Sequence, residues 1–222
     1  EGMQDEPEPE SQKEEHQSYS VYEQAQRYRA AKAVLQDIYA LDAEHAEAVK
    51  ALEQLWEEGY TVAAHQLGKF YRDDLSTLRD HEKAEEWFRR SAEAGNDFSE
   101  YALGKLLLTQ KRWEEALGWL GKAADHGNQF ARYRLGKIYL AGESVPKDVA
   151  KALAYLTASA DQGNQFAQYT LGKLYLLGRD VPPDREQAKE WLIRAAAQGN
   201  EYARFFLSLI HISEPTRPIS IS

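Results

Sequence analysis

Apolar residues along this chain follow a helical period in short stretches that glycine interrupts at regular intervals. Over residues 130–139 they recur at spacings of three and four, which is typical of one buried face of an α-helix. A second stripe begins after Asp148, a residue suited to cap a helix N-terminus, and it ends at Gly163, which suits a left-handed helix C-terminus. The pattern predicts two short helices, here called helix A and helix B.

This pair of stripes recurs along the chain. The tripeptide Leu-Gly-Lys occurs four times with start-to-start spacings of 36, 32 and 36 residues, at Leu67, Leu103, Leu135 and Leu171. Gly-Asn pairs separate these occurrences, at Gly95, Gly127, Gly163 and Gly199. Self-similarity at roughly 30 to 45 residues indicates stacked supersecondary units, and such arrays bind other molecules more often than they catalyse.

Small residues recur at matching places in the two helices. Gly136 in helix A and Ala152 in helix B have equivalents in the other units, at Gly68, Gly104, Gly172, Ala84, Ala116 and Ala188. Each helical glycine costs about 1 kcal/mol of helix propensity. We therefore predict that these positions let the two helices approach closely.

Residues 60–206 carry a pattern of Gly-Asn, Ala, Leu-Gly, Tyr, Gly, Val-Pro, Asp, Ala, Trp or Tyr, Ala and Gly that resembles the Sel1-like repeat, a relative of the tetratricopeptide repeat. Four units are full and a fifth is partial; the full units are 60–95, 96–127, 128–163 and 164–199. The resemblance implies an all-α fold, a right-handed superhelical solenoid of antiparallel helix pairs. The second unit lacks four residues between its helices, at 109–112, so we expect a tighter turn there.

The N-terminal region departs from the repeat. Residues 1–15 are acidic and contain proline, which predicts a disordered linker, and residues 16–59 read as degenerate capping helices. Spacings of the repeat are kept there at Leu35, Ile38, Tyr39, Ala48 and Gly59. Because the chain opens on Glu1 and its single methionine is Met3, we expect a piece of a longer bacterial protein.

The C-terminal region departs as well, because the repeat calls for Leu-Gly-Lys where the chain reads Leu207-Ser208-Leu209. The string that follows resembles the translation of a sequencing adapter. We therefore expect residues 207–222 to be a non-native or disordered tail.

Composition restricts the function further. The 222 residues contain no cysteine, which excludes disulfides and thiolate metal sites. They also contain no apolar run near 18 residues, which argues against a membrane partner. A cytoplasmic location and a monomer are expected. The net charge of −9, much of it in residues 1–15, argues against direct nucleic-acid binding. The six histidines show no zinc-binding spacing, so we predict no catalytic residue, no metal and no cofactor.

One pattern on helix A is distinct from the packing stripe. Steps of three, four and three residues keep four side chains of each unit on one face. These sets are Phe98, Tyr101, Lys105 and Leu108; Phe130, Tyr133, Lys137 and Leu140; and Phe166, Tyr169, Lys173 and Leu176. By resemblance to tetratricopeptide arrays, this face is concave and holds a protein or peptide partner. The predicted partner-binding residues are His65, Lys69, Tyr101, Lys105, Tyr133, Lys137, Tyr169 and Lys173.

We expect the large aromatic residues to pack in the core or between helices. Burial of a large apolar side chain is worth about 1.5–3 kcal/mol, which favours the core for Phe98, Phe130 and Phe166. We assign Trp87, Trp119 and Trp191, each three residues after the helix-B alanine, to packing between helices.

The interpretation favoured here is a protein-binding scaffold without enzymatic activity. Two alternatives remain. The repeats resemble the C-terminal region of bacterial plasmid-mobilisation relaxases. In this alternative the chain is an accessory region for conjugative DNA transfer, and the catalytic domain would lie upstream. A beta-lactamase-like repeat enzyme is the other, and the absence of cysteine disfavours it.

Overall fold

The computed structural model describes residues 10–73 and 80–213. Eleven α-helices and no strand occur within these ranges, which confirms the predicted all-α class. The helices are α1 (Glu10–Gln36), α2 (Asp42–Glu57), α3 (Val62–Arg72), α4 (His81–Glu93), α5 (Asp97–Thr109), α6 (Trp113–Asp125), α7 (Gln129–Ala141), α8 (Val149–Asp161), α9 (Gln165–Leu177), α10 (Arg185–Ala197) and α11 (Glu201–Ser213). Helices α3, α5, α7 and α9 are the A helices of the four full repeats.

The chain divides into two compact units, Glu1–Leu103 and Gly104–Ser222. In the first unit, α2 packs against α1 and α3, and α3 packs against α4. In the second unit, each helix from α6 to α10 packs against the next one along the chain. The connections are short, so neighbouring helices run antiparallel, as in other helix-pair repeats.

The helix-B cap predicted at Asp148 is present, and it recurs in two other repeats. An aspartate side chain precedes each of α4, α8 and α10 and accepts backbone N–H groups of the first helical turn, from Asp80, Asp148 and Asp184. Asn128 and Asn164 cap α7 and α9 in the same way, each accepting a 2.9 Å hydrogen bond. These side chains satisfy N–H groups that have no partner within the helix.

Successive repeats are joined at their glycine corners. Gly163 has a φ of 97°, a left-handed conformation that side chains other than glycine rarely adopt. At two corners the residue before the glycine reaches back one repeat: Gln162 donates to the Gly127 carbonyl at 2.6 Å and Gln198 donates to the Gly163 carbonyl at 2.8 Å. These bonds fix the register of one corner relative to the preceding one.

The helix-A glycines confirm the predicted close approach. A Cβ atom on Gly136 would lie 2.6 Å from the Leu156 Cγ and 3.3 Å from the Ala152 carbonyl oxygen. Gly104 and Gly172 have the same relationship to a leucine and an alanine of the following helix. In the second repeat the connection is reduced to residues 110–112, with Lys111 at a φ of 59°, so the expected tight turn is confirmed.

Differences from the sequence prediction lie at the N-terminal region. Helix α1 begins at Glu10, inside the segment predicted as a disordered linker, and residues 1–9 lie outside the described residues. The same helix ends at Gln36, so Ile38 and Tyr39 occupy an exposed loop instead of a helix, with Tyr39 88% exposed. The Asp37 side chain accepts the Tyr39 N–H at 2.9 Å, and this local turn competes with helix continuation.

The C-terminal helix α11 continues to Ser213, so residues 207–213 of the segment expected to be a non-native or disordered tail are helical. Ile210 is only 3% exposed and packs with Leu192, Ala195 and Ala203, while Leu207 lies at the edge of this cluster. The spacing of three residues between Leu207 and Ile210 places both on the buried stripe. The rest of the predicted tail, residues 214–222, lies outside the described residues.

Candidate partner-binding surface

The helix-A residues of the third and fourth repeats come together in the second unit. Tyr133 and Lys137 lie on α7, and Tyr169 and Lys173 lie at the equivalent positions of α9. Both tyrosines are half-buried and both lysines are exposed. Lys105, on the part of α5 that belongs to this unit, is half-buried. We call the α7 and α9 side chains at these positions, with Phe130 and Phe166, the helix-A face.

The phenylalanines of the pattern are not core residues, and this prediction was wrong. Phe98, Phe130 and Phe166 are 54%, 40% and 51% exposed. Each directly precedes the residue that enters the core, such as Ala167 after Phe166. Because one residue corresponds to a rotation of about 100° around a helix, each phenylalanine lies about 100° away from the core side. The core stripe is already filled by alanine and leucine, so the phenylalanines remain at the surface.

Aromatic rings connect the helix-A face from one repeat to the next. The Tyr133 and Phe166 ring centroids are 6.1 Å apart, and those of Tyr169 and Tyr202 are 5.8 Å apart. Tyr169 also contacts Phe206 at 6.0 Å. Burial raises the pKa of Tyr169, and the neighbouring Tyr202 and Tyr133 raise it further. The Tyr169 hydroxyl therefore stays protonated at neutral pH and can donate a hydrogen bond.

A depression of about 220 Å³ lies where α7, α9 and the loop after α9 meet. Its lining combines three cations, three leucines and one carboxylate: Lys137, Lys173, Arg179, Leu140, Leu174, Leu177 and Asp180, with Tyr169 and Thr170 beside them. We call it the cationic pocket. Within the described ranges, Lys137, Lys173 and Arg179 form no ion pair, whereas Asp180 accepts a 2.6 Å bond from the Lys147 ammonium group.

The pocket includes residues that the sequence pattern did not identify. Leu176 was assigned to the binding pattern, but it packs against the core around Leu192, and Leu177 lines the pocket instead. Arg179 lies in the loop after α9, directly after Gly178, which ends the helix. At the equivalent position of the preceding repeat, after Gly142, the residue is Glu143. Because the charge at this position changes between repeats, periodicity could not single it out.

In the first unit, His65 lies among aromatic rings and is half-buried. Its Nδ1 is 2.5 Å from the Ser99 hydroxyl oxygen, and its ring centroid is 5.7 Å from that of Phe88. Burial, assisted by the positive charges of Lys69 and Arg72, lowers the pKa of His65 to about 4. The imidazole is therefore neutral at pH 7, and its contacts pack α3 against the start of α5.

The other two predicted binding residues of the first unit, Lys69 and Tyr101, are half-buried. Lys69 lines a separate depression of about 160 Å³ together with Leu35, His45 and Phe70. His45 is almost fully buried there, and its Nε2 lies 3.0 Å from the Asp37 carbonyl oxygen.

The tryptophans face helix neighbours. Trp87 is buried and meets the Trp56 ring edge-on at 6.2 Å. Trp191 packs against the core around Leu156 and Leu171, with the Arg194 guanidinium 4.8 Å from its centroid. Trp119 is half-buried, and the Lys122 ammonium lies 4.4 Å from its ring. Cation and ring are thus paired on the B helices.

Within residues 10–73 and 80–213, no group of three His, Cys, Asp or Glu side chains could hold a metal ion. None of the helices described combines the length and the apolar character needed to cross a membrane.

Comparisons with known proteins agree with this architecture. The pattern of the Sel1 repeat matches residues 61–96, 114–128, 129–164 and 165–200. A Sel1 repeat protein from Oxalobacter formigenes is 30% identical, with 86% of this chain and 79% of that chain covered and a TM-score of 0.74. No curated protein matches.

Two further solved structures are similar. A protective antigen of uropathogenic Escherichia coli strains, described as displaying an SLR fold, is 29% identical, with a TM-score of 0.70. The match covers 76% of this chain but only 37% of the antigen, well under two thirds of its length. An immunity protein of Pseudomonas aeruginosa is 26% identical over 84% of this chain and 70% of that chain, with a TM-score of 0.55.

None of the relatives named here is described as a relaxase or a beta-lactamase, and both alternatives stay predictions. The Sel1 pattern covers more than half of the chain, and its boundaries fall within one residue of the repeat units predicted for three of the four matches. The chain belongs to the Sel1 repeat family, whose helical scaffolds are typical of protein–protein interaction.

Proposed function

We propose that the helix-A face of the second unit binds a peptide or protein partner and that this segment acts by binding, without catalysing a reaction. The observation that supports this proposal most directly is the exposure of Phe130 and Phe166 beside Tyr133 and Tyr169. The core of each repeat is complete without these phenylalanines, so packing does not require aromatic side chains there. Exposed aromatic groups in a contiguous patch indicate an interaction surface.

The composition of the face fits a protein ligand. Tyrosine presents a large rigid ring and one hydroxyl, and it is enriched among the residues that contribute most to protein interfaces. Lys137 and Lys173 add positive charge on the same face, in a chain whose net charge is −9. The charge pattern therefore supports a partner with local acidic groups, whereas the bulk charge disfavours nucleic acid.

Site-specific photo-crosslinking tests the proposal. A photoreactive phenylalanine analogue placed at Phe166 or Tyr133 should yield covalent adducts with the partner in cells that make the protein. The matched control places the same analogue at Ile193, which is 56% exposed on α10, a helix-B position. Adducts at Ile193 and none on the helix-A face would place the binding surface on the B helices and contradict the proposal.

A charge-reversal pair provides the second half of the test. Lys137→Glu with Lys173→Glu should abolish the adducts at Phe166 while leaving the helical circular dichroism unchanged, since both side chains are exposed and unpaired within the described ranges. Arg134→Glu is the matched control, because Arg134 is an exposed cation of α7 outside the cationic pocket. If Arg134→Glu removes the adducts as completely as the double variant, the effect is one of net charge and not of this face.

A further inference from the structure

We propose that the cationic pocket recognises the free C-terminal carboxylate of a partner protein whose last residue is apolar. This inference rests on the proposed partner-binding function of the helix-A face, and it names the chemical group that the face selects. It is carried by the charges and the mixed lining of the pocket.

The charge of the pocket favours an anion. Three cations line it, Lys137, Lys173 and Arg179, and none of them is paired with a carboxylate in the described part of the chain. Asp180 is the carboxylate among the lining residues, and the 2.6 Å bond from Lys147 compensates its charge. Ammonium and guanidinium groups form short charge-assisted hydrogen bonds to carboxylate oxygens, so a carboxylate would compensate the remaining charge.

The leucines of the pocket favour an apolar side chain on the ligand residue that carries the carboxylate. Leu140, Leu174 and Leu177 lie beside the cations, so the same space offers an apolar surface. The depression, about 220 Å³ in volume, is open to solvent and carries charged and apolar groups side by side, so one ligand residue can contact both kinds of group.

A C-terminal apolar residue matches this mixed lining more simply than an internal acidic residue does. Successive side chains of an extended chain point to opposite sides, and the next side chain on the same side is about 6.6 Å away. An internal Asp or Glu therefore needs a second residue, about 6.6 Å further along the chain, to supply the apolar side chain on the same side. A C-terminal apolar residue carries both groups on one Cα atom.

The surroundings of the pocket agree with this ligand. The protonated Tyr169 hydroxyl can donate to a carboxylate oxygen, and the exposed Phe166 and half-buried Tyr133 lie beyond it to contact preceding residues of the ligand. The negative ends of the α7 and α9 dipoles oppose an anion, but this effect is confined to the last helical turn. Leu140, Leu174 and Leu177 of those last turns line the pocket, so the dipoles weaken anion binding there by about two- to fivefold each, which the three cations have to outweigh.

A peptide library with defined chain ends tests the inference. Octapeptides with four randomised C-terminal positions, attached through the N-terminus, are selected with the whole chain, once as free acids and once as C-terminal amides. We expect the free-acid library to be enriched at least tenfold in sequences that end in Leu, Ile, Val, Met or Phe. The amide library should show no such enrichment.

Variants then locate the recognised carboxylate. Arg179→Glu copies the residue of the preceding repeat, Glu143, at an exposed loop position, so it should preserve the fold. It should weaken the best free-acid peptide at least tenfold, whereas Arg134→Glu should change its affinity less than threefold. Equal loss in both variants would show that only long-range charge is involved and would overturn the inference.

The outcomes separate this inference from the proposed function. If free-acid and amide libraries are enriched equally, and both lose binding with Lys137→Glu plus Lys173→Glu, the face binds peptides internally and the C-terminal inference is wrong. If neither library is enriched while photo-crosslinks still form at Phe166, the face binds a folded surface, and the inference is again wrong. Absence of both enrichment and crosslinks overturns both proposals.

Discussion

Gly136 and Leu156 are so close that a Cβ atom on Gly136 would lie 2.6 Å from the leucine Cγ. The contact between α7 and α8 thus depends on the absence of a side chain at position 136. Leu156 is fully buried, so it cannot move aside without disturbing its own contacts.

Gly136→Ala should therefore destabilise the second unit. Overpacking costs about 1–3 kcal/mol, and the gain in helix propensity returns about 1 kcal/mol, which leaves a net loss of up to about 2 kcal/mol. Gly136→Leu should cost several kcal/mol more. Urea unfolding followed by circular dichroism measures both.

Gly118→Ala is the matched control, because Gly118 lies inside α6 with no atom within 4 Å of an added Cβ. That variant should be stabilised by about 0.5–1 kcal/mol. Should Gly136→Ala gain stability to the same extent, the close-packed register of α7 and α8 is incorrect.

Removal of a helix cap should be measurable too. Asp184→Ala removes the acceptor of the Gln187 N–H, at 3.1 Å, and should cost about 0.5–2 kcal/mol. Asp161→Ala, at the exposed C-terminal end of α8, should be neutral or slightly stabilising, because a carboxylate there opposes the helix dipole. Thermal unfolding that ranks these two variants in the opposite order would refute the capping role.

The stability of the first unit should fall in mild acid through His65. Its pKa is about 4 in the folded chain and 6.5 in the unfolded chain, so the unfolded state binds the proton first. The contribution is fully present above about pH 6.5 and is lost as the pH falls towards 4, by up to about 3 kcal/mol. His65→Gln should flatten this pH dependence, whereas His126→Gln, at an exposed helix end, should not.

Two-dimensional NMR of the His65 ring measures the pKa directly. A midpoint near 6.5 in the folded protein would show that the imidazole is solvated and that the contacts with Ser99 and Phe88 do not persist in solution.

Lys147 should act on the cationic pocket through Asp180. Lys147→Met breaks the 2.6 Å ion pair, and because the pair is partly exposed its loss should cost less than about 1 kcal/mol of stability. The released carboxylate should then repel an anionic ligand and weaken a free-acid peptide several-fold. Adding Asp180→Asn should restore the affinity, and a double-mutant cycle by isothermal titration calorimetry measures the coupling. Purely additive effects of the two substitutions would argue against the charge explanation.

Raising the ionic strength should weaken binding through the cationic pocket and leave binding through the aromatic side chains of the helix-A face unchanged. Contacts of Lys137, Lys173 and Arg179 with a carboxylate weaken as salt increases, whereas burial of Phe166 does not. Raising the salt from 0.05 to 0.5 M should reduce the affinity of a free-acid peptide several-fold and leave that of its amide nearly unchanged. An affinity independent of salt for both forms would exclude ionic recognition.

The fold was predictable because each repeat obeys local rules that recur. Glycine at 136, aspartate at 148 and asparagine at 164 each have a short-range physical role, and their periodicity fixed the helix boundaries to within a few residues. Where the rules fail, at Tyr39, a single aspartate forms a turn that ends α1 early. The turn at Asp37 and a further turn of α1 differ little in free energy, so the hydrophobic pattern alone could not predict which one forms.

The candidate site was only partly predictable. Tyr169, Lys137 and Lys173 follow the repeat and were identified from spacing. Arg179 lies in a loop that differs between repeats, and Leu177 is the last residue of α9, where the preceding repeat has Ala141. Phe166 was misplaced because its hydrophobicity suggested the core, while its angular position on α9 keeps it at the surface. Burial on a short helix is decided by rotation, which residue type alone does not reveal.

The loop after helix A varies in length without altering the helix pair that it joins. Seven residues, 178–184, connect α9 to α10, and only three, 110–112, connect α5 to α6. Yet an added Cβ would meet the facing leucine at 2.6 Å from Gly172 and at 2.7 Å from Gly104. A deletion of a few codons in this loop would therefore remove Arg179 from the cationic pocket while the scaffold persists. Duplication of the two repeats 128–199 would copy the pocket and the core together, and two copies of the proposed site in one chain would raise avidity with no new type of contact.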